Sequence, residues 1–240
     1  MIVAIDAGNS RIKWGCHDGI TWKERGNVPT DEAERLADVA ARWPRTARVV
    51  ACSVAGPAVE TAVQNALGLS GLAVQWVRPE PSAHGVRNGY EQPERLGADR
   101  WAALVAARHK VAGPCVVVCS GTATTVDWLD GTGSFRGGLI LPGMHLMLTA
   151  LARGTAQLPH ARGVFRDEPR NTMDAIVSGC LHAQAGAIER MYAKAATEEP
   201  AVICMLTGGA AHRLAPCLGV PCRVEETLVL DGLLQYASAT

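Results

Sequence analysis

The chain opens with Ile2-Val3-Ala4-Ile5-Asp6-Ala7-Gly8-Asn9-Ser10-Arg11-Ile12-Lys13-Trp14-Gly15-Cys16, and the fold is read outward from this stretch. The apolar run 2–5 stops at Asp6, and a short apolar run bounded by turn residues predicts a strand buried on both faces. Beyond Gly8, Asn9 and Ser10, the apolar Ile12, Trp14 and Cys16 alternate with Arg11, Lys13 and Gly15, as on a neighbouring strand with one wet face. Gly8 predicts a turn with positive φ and a close backbone approach by a ligand. Asp6 falls where the strand meets the turn. A carboxylate there can hold a hydrated divalent metal while Asn9, Ser10 and free amides take phosphate oxygens. Lys13 adds a cation at the same mouth. Alone, the same letters describe an ordinary hairpin, so the reading depends on context.

The context is a second copy. Val116-Val117-Val118 runs into Cys119-Ser120-Gly121-Thr122-Ala123-Thr124-Thr125-Val126-Asp127, then Trp128 and an Asp130-Gly131 turn. In the same way residues 2–16 run into Asp18-Gly19, itself a turn signal. Gly8 aligns with Gly121, at a spacing close to half the chain. The shared order and offset predict a duplication into α/β halves at 1–113 and 114–240, with the closing helix able to pack back on the first. Two facing halves would leave a cleft with a polar turn on each wall, a common place for ligands.

At 240 residues the chain has room for one large domain or two small ones. Its 23 basic and 23 acidic side chains balance, so no basic excess is available to hold a nucleic acid or an anionic membrane surface. The start lacks the basic region and long apolar run of a signal peptide, and no run approaches a membrane-spanning helix. The eight cysteines lie scattered in apolar segments, without CxxC or zinc spacing, and most read as small buried hydrophobes in a reducing cytosol. His109, His145, His160 and His182 pair at no metal spacing and read as structural or surface residues.

Between the copies the sequence predicts strands over 21–28, 48–55 and 72–77. It predicts helices over 30–43, capped by Thr30, and over 57–67 and 99–111; residues 85–97 read as loop. The second half gives a glycine-bracketed strand over 137–143, helices over 144–151 and 172–196, and a loop over 154–171 between them. A strand over 202–206 and helices over 210–214 and 228–236 complete it. Helices interspersed with strands throughout point to α/β.

Four glycine turns follow apolar strands: after Asp6, after Cys119, at Gly137-Gly138 and at Thr207-Gly208-Gly209. Each alone is a plain strand-to-helix turn. Neither a GxxxxGKS loop nor a GxGxxG opening a helix is present, so together they suggest several backbone turns sharing one nucleotide. Gly97-Ala98-Asp99-Arg100 adds a carboxylate at a helix start beside a guanidinium. Asp99 could merely stabilise the helix terminus. It could equally orient a hydroxyl as proton acceptor while Arg100 holds substrate or transferring phosphoryl, the few parts phosphoryl transfer needs.

These motifs, with Asn171-Thr172 and Gly137-Gly138-Leu139-Ile140-Leu141-Pro142-Gly143, span nearly the whole chain, and together they resemble the type III pantothenate kinases. The resemblance implies the duplicated ribonuclease-H-like fold of the actin, Hsp70 and sugar kinase superfamily. It implies a cytoplasmic homodimer that uses ATP with magnesium to phosphorylate the 4′-hydroxyl of pantothenate, the first step toward coenzyme A. Carried over by motif, Asp6, Ala7, Gly8, Asn9, Ser10, Arg11, Ile12 and Lys13 would form the ATP phosphate segment, Asp6 positioning the metal. Asp99 would accept the proton, with Arg100 near the reacting groups. Tyr90, Gly97, Ala98, Asp99 and Arg100 would line pantothenate, joined by Thr172 across the dimer interface. Thr122 would contact ATP, and Thr207, Gly208 and Gly209 would lie by the nucleoside. Asp127 matches the motif without an assignable role.

One position departs from the resemblance. Where the family usually has an aspartate that binds a monovalent cation such as potassium, this chain has Cys119, a poor ligand for a hard cation. That site is therefore lost, weakened to backbone oxygens, or served by another cation such as ammonium. Two further readings stay open: a non-catalytic accessory relative, and a superfamily kinase for another small hydroxy acid or sugar.

Overall fold

The computed structural model describes residues 1–155, 158 and 162–238. The chain folds into two compact units, Met1–Lys110 with Thr227–Thr240, and Val111–Glu226. His160 lies outside the described residues.

In the first unit, β1 (Ile2–Ala7), β2 (Arg11–His17), β3 (Trp22–Pro29), β4 (Arg48–Ser53) and β5 (Val74–Trp76) form one sheet in the order β3-β2-β1-β4-β5. β1 is central, antiparallel to β2 and parallel to β4. Val3, Ala4, Ile5 and Ala7 are fully buried there, which is why its sequence is a run rather than an alternation. β2 and β3 interlock through two tryptophan–glycine crossings. The Trp14 indole lies 2.5 Å from where a Cβ would stand at Gly26, and the Trp22 ring 2.7 Å from one at Gly15. Helices α1 (Leu36–Ala40), α2 (Pro57–Gly68) and α3 (Ala98–Lys110) complete this part, with β6 (Ser82–Ala83) and β7 (Val86–Arg87) as a separate ribbon.

The second unit holds β8 (Cys115–Ser120), β9 (Ala123–Leu129), β10 (Phe135–Pro142), β11 (Ile203–Thr207) and β12 (Cys222–Val224), in the order β10-β9-β8-β11-β12. This repeats the first sheet strand for strand. A shift of 113 carries Gly8 onto Gly121, and β3 (Trp22–Pro29) onto β10 (Phe135–Pro142) at both ends. Helices α4 (Met144–Gly154), α5 (Thr172–Glu198) and α6 (Ala211–Leu214) belong here. β12 is absent from the sequence reading, because its three residues are too few to show a period.

The closing helix α7 (Leu228–Ser238) returns to the first unit and lies against α3, β1 and β4. A Cβ on Gly232 would stand 1.9 Å from the Ala102 carbonyl oxygen, so α7 meets α3 backbone to backbone. Asp231 accepts from the Trp22 indole at 2.8 Å and the Thr227 hydroxyl at 3.0 Å, and pairs with Lys110 at 3.1 Å. Tyr236 Oη accepts from the Trp101 indole at 2.6 Å. The helix bearing Asp99 and Arg100 is thus clamped by the last residues of the chain.

Four local expectations need correction. The helix over 30–43 is instead a 3-10 turn over Thr30–Arg35, distorted at Glu32, followed by the single turn and a half of α1. Thr30 is not its cap: Pro29 holds that position, and the Thr30 hydroxyl is engaged elsewhere. Gly8 is not among the positive-φ residues. A Cβ there would approach the Arg11 carbonyl to 3.2 Å, so glycine serves the tightness of the turn. Residues 85–97 contain β7 and a 3-10 turn at Pro93–Arg95 as well as loop.

Candidate active site

In the first unit, Asp6 is the next-to-last residue of β1 and stands between two partners. Lys13 faces it across β2, with Nζ 3.8 Å from Oδ2. Cys52 faces it across β4, with its Sγ donating to Oδ1 at 3.8 Å. Burial is the main force on this carboxyl. It lifts the Asp6 pKa to about 6, with Asp99 adding repulsion and Lys13 and Cys52 opposing. Asp99 is likewise raised, by burial first, against the amide and charge of Arg100. Two carboxylates that are both raised by burial and both lowered by Lys13 therefore stand in a single unit. The Cys52 thiol is fully buried and pushed well above its usual range, so it acts as a weak donor and not as a nucleophile.

The turn between β1 and β2 is closed by the Gly8 amide donating to the Arg11 carbonyl at 3.1 Å. Asn9, Ser10 and Arg11 are exposed, whereas Ala7 and Ile12 are fully buried below. The Arg11 guanidinium reaches sideways to Asn27 of β3 at 2.5 Å. Beside the turn lies a cavity of about 530 Å³ lined by Asn9, Ser10, Thr30, Asp31, Ala55 and Val59.

Asp99 and Arg100 sit in the first turn of α3, whose first helical bond runs from the Trp101 amide to the Gly97 carbonyl at 2.9 Å. Asp99 Oδ1 accepts from the Arg100 amide at 2.8 Å. A Cβ on Gly97 would stand 2.7 Å from that same oxygen, so glycine there leaves the carboxylate room. Ala98 is buried, and Arg100 is only 4% exposed. The Arg100 guanidinium donates to Tyr90 Oη at 2.6 Å and lies 5.5 Å from the centre of its ring. A buried guanidinium held by an aromatic hydroxyl is an anchored cation with its direction fixed.

In the second unit, Gly121 and Thr122 lie at the tip of the turn between β8 and β9, both exposed, and Gly121 N donates to the Ala123 carbonyl at 3.0 Å. Two glycines press against this turn. A Cβ on Gly143 would lie 2.1 Å from the Gly121 carbonyl, and one on Gly208, which has φ +99°, would lie 2.3 Å from that of Ser120. Thr207 is buried at the end of β11 and Gly209 is exposed after it. Behind the turn, Ser120, Thr124 and Gln184 form a buried polar cluster, with Thr124 donating to Gln184 at 2.9 Å. Cys119 stands between Thr125 and Thr207 in the sheet register. Thr172 is the exposed first residue of α5, next to the cap Asn171, whose side chain accepts from the Asp174 amide at 2.9 Å. Asp127 is fully buried opposite Val117 and Gly138. Among the described residues no group of three or more His, Cys, Asp and Glu is arranged to hold a metal.

The chain matches one family over most of its length: residues 2–194 match the type III pantothenate kinases. A type III pantothenate kinase of Aromatoleum aromaticum is 50% identical over 237 residues, which cover 99% of this chain and 98% of that one. The chain belongs to the type III pantothenate kinase family. Solved structures add the fold at lower identity. A conserved Baf family protein of Campylobacter jejuni superposes with TM-score 0.62 at 19% identity, covering 99% of this chain and 100% of that one. The polyphosphate/ATP-glucomannokinase of an Arthrobacter species superposes with TM-score 0.51 at 17% identity, covering 100% and 99%. The fold is the duplicated α/β architecture of the actin, Hsp70 and sugar kinase superfamily.

Sequence reasoning did not single out Cys52, Asn27 or the second-unit glycine Gly143 as neighbours of these turns. The repeat could have exposed the last: the shift that carries Gly8 onto Gly121 carries Thr30 onto Gly143. Cys52 carries no such signal, since a thiol at a strand end reads as core.

Proposed function

We propose that this type III pantothenate kinase transfers the γ-phosphoryl group of ATP to the 4′-hydroxyl of pantothenate, the first step of coenzyme A synthesis. The observation that carries the residue roles is the grouping in one unit of the Asp6–Lys13 pair at the end of β1 with Asp99 and the Tyr90-anchored Arg100 at the start of α3. In this reading the turn over 6–13 receives the ATP phosphates, and Thr122 and Thr207–Gly209 meet the nucleotide through backbone and hydroxyl groups. Asp99 orients the pantothenate hydroxyl and takes its proton. Its raised pKa makes it a better acceptor than an ordinary carboxylate, and because the proton leaves late in a loose transition state, orienting the hydroxyl is its main task. Arg100, fixed by Tyr90, supplies positive charge beside it, and Gly97, Ala98, Tyr90 and Thr172 complete the pantothenate surface.

Asp6 fits a magnesium ion carried by ATP, since a carboxylate that burial and a second carboxylate push up is relieved by a divalent cation. The metal would neutralise phosphate charge. Cys119 argues for weak dependence on potassium or ammonium. The second unit leaves Ile140 66% exposed and Leu139 40% exposed on β10, an edge strand, with Leu146 and Met173 also open. Such apolar exposure on a sheet edge supports a homodimer. No helix among the described residues is long and apolar enough to cross a membrane, and the balanced charge gives nucleic acid no foothold; a cytoplasmic site of action suits the substrates. The test is ATP consumption by purified protein with magnesium, with pantothenate and with a panel of sugars and hydroxy acids. Turnover with pantothenate and its amides alone supports the proposal; turnover with none, or with a sugar, removes it.

A further inference from the structure

We propose that Thr30 is a positioning residue that braces the phosphate turn from outside the motif. Its hydroxyl donates to the Gly8 carbonyl at 2.7 Å, and its amide donates to the Ser10 carbonyl at 3.2 Å. One residue thus ties down the carbonyls on both sides of Asn9. With those carbonyls turned toward Thr30, the amides of the same two trans peptides, those of Asn9 and Arg11, point away from it, the arrangement an anion needs. The second half repeats the device with one part changed. Gly143, the counterpart of Thr30, donates its amide to the Thr122 carbonyl at 2.9 Å. It has no side chain because the Gly121 carbonyl occupies that place. The second turn is one residue shorter, so Thr122 stands where Ser10 does, Ala123 pairing with Pro142 as Arg11 pairs with Pro29; the backbone bond is therefore common to both halves, and the hydroxyl bond is the addition made where the charged residues are. The engagement also means that the Thr30 hydroxyl serves the phosphate turn and not the 3-10 segment it opens, whose cap position is Pro29.

The inference rests on reading residues 6–13 as the ATP phosphate segment, and its test separates the two. Thr30→Val keeps the shape and the backbone bond and removes the hydroxyl; Thr30→Ser keeps the hydroxyl. Binding of magnesium ATP is measured by calorimetry, amide hydrogen exchange is followed over residues 8–12, and kcat and KM for ATP are compared. Thr30→Val is expected to weaken ATP binding about 5- to 10-fold, the size of one hydrogen bond. It should raise KM far more than it lowers kcat and speed exchange in the turn, while Thr30→Ser stays within about twofold of the parent. Thr30→Val with unchanged affinity and exchange overturns the brace. Thr30→Ser as impaired as Thr30→Val also overturns it, by assigning the effect to the methyl group. Asn9→Ala and Ser10→Ala decide the underlying reading: if both leave ATP affinity intact, the phosphate segment itself is misassigned; if both weaken it while Thr30→Val does not, only the brace falls.

Discussion

After β1 the turn at Gly8 is flanked by Asp6 and Lys13; after β8 the equivalent turn at Gly121 is flanked by Cys119 and Thr125. The two share sheet order, central strand, turn-closing hydrogen bond and backbone brace. They differ in charge. The first holds a carboxylate that burial penalises, within reach of a second one on α3. The second offers a thiol, hydroxyls and amides, with glycines at Gly143 and Gly208 pressed against it. Duplication supplied two similar scaffolds, and the buried carboxylates at the turn and on the helix beside it collected on one. Ionisable groups raised by burial are what an active site carries and a binding wall need not.

The largest effect should come from the charged side. Asp99→Asn keeps size and helix position but cannot accept a proton. It is expected to lower kcat by about 10²–10⁴-fold, with ATP affinity and the unfolding temperature near the parent values. Turnover within tenfold of the parent would mean that the carboxylates of the first unit are not what separates the two halves.

The same asymmetry predicts a stability gain from a disabling change. The Asp6 carboxyl titrates near its ordinary value when unfolded and at about 6 when folded. Between those values the native state holds the extra proton, so stability falls as pH rises, and the penalty is complete above about pH 6. The shift corresponds to about 3 kcal/mol. Asp6→Asn should therefore unfold at a higher temperature than the parent near pH 8, measured without nucleotide, with the difference closing below about pH 4. Turnover should fall at the same time. A parent as stable as the variant at high pH would show that Lys13 and Cys52 already compensate the charge.

Much of this was legible in the chain. Residues 2–16 and 116–131 revealed the duplication because a fully buried central strand has to be a continuous apolar run, and because the turn after it recurs at a fixed shift. Gly97 to Arg100 stood out because a carboxylate and a guanidinium opening a helix are chemically conspicuous. What stayed hidden depends on partners distant in sequence. Thr30 before Asp31-Glu32 is a sound local cap, and only the position of Gly8 in space redirects its hydroxyl. Cys52 gains meaning only from standing opposite Asp6 in the sheet. Gly8 suggested positive φ, whereas a neighbouring carbonyl is the reason for glycine there.

The backbone side of the comparison can be tested with two alanines. Gly143→Ala would put a Cβ 2.1 Å from the Gly121 carbonyl, backbone against backbone, whereas Gly8→Ala would meet only the Arg11 carbonyl, at 3.2 Å. Overpacking of the first kind costs about 1–3 kcal/mol, and the second should cost less than about 1 kcal/mol. Denaturant unfolding of the two variants measures the difference. Equal losses would mean that both turns are equally tight and that only charge distinguishes them.

The smallest expected effect is also the closest approach to making the two turns alike. Cys119→Asp places a carboxylate where the first copy has Asp6, between Thr125 and Thr207 in the sheet. Among the described residues the buried Thr125 hydroxyl has no hydrogen-bond partner, so an oxygen ligand stands beside the new carboxylate, and a hard cation prefers such oxygens to a thiol. The parent is expected to turn over equally, within about twofold, in potassium, ammonium or sodium buffers, while the variant acquires a preference among them. Position 119 has threonines as its sheet neighbours where Asp6 has Lys13, so the variant should also be less stable in the absence of a bound cation. Cation-dependent unfolding of the variant together with indifference of the parent would show that the sheet already provides the rest of a site. A parent that itself requires potassium would show instead that neutral oxygens suffice, and that the loss of a carboxylate from this turn changed its chemistry less than the sequence suggests.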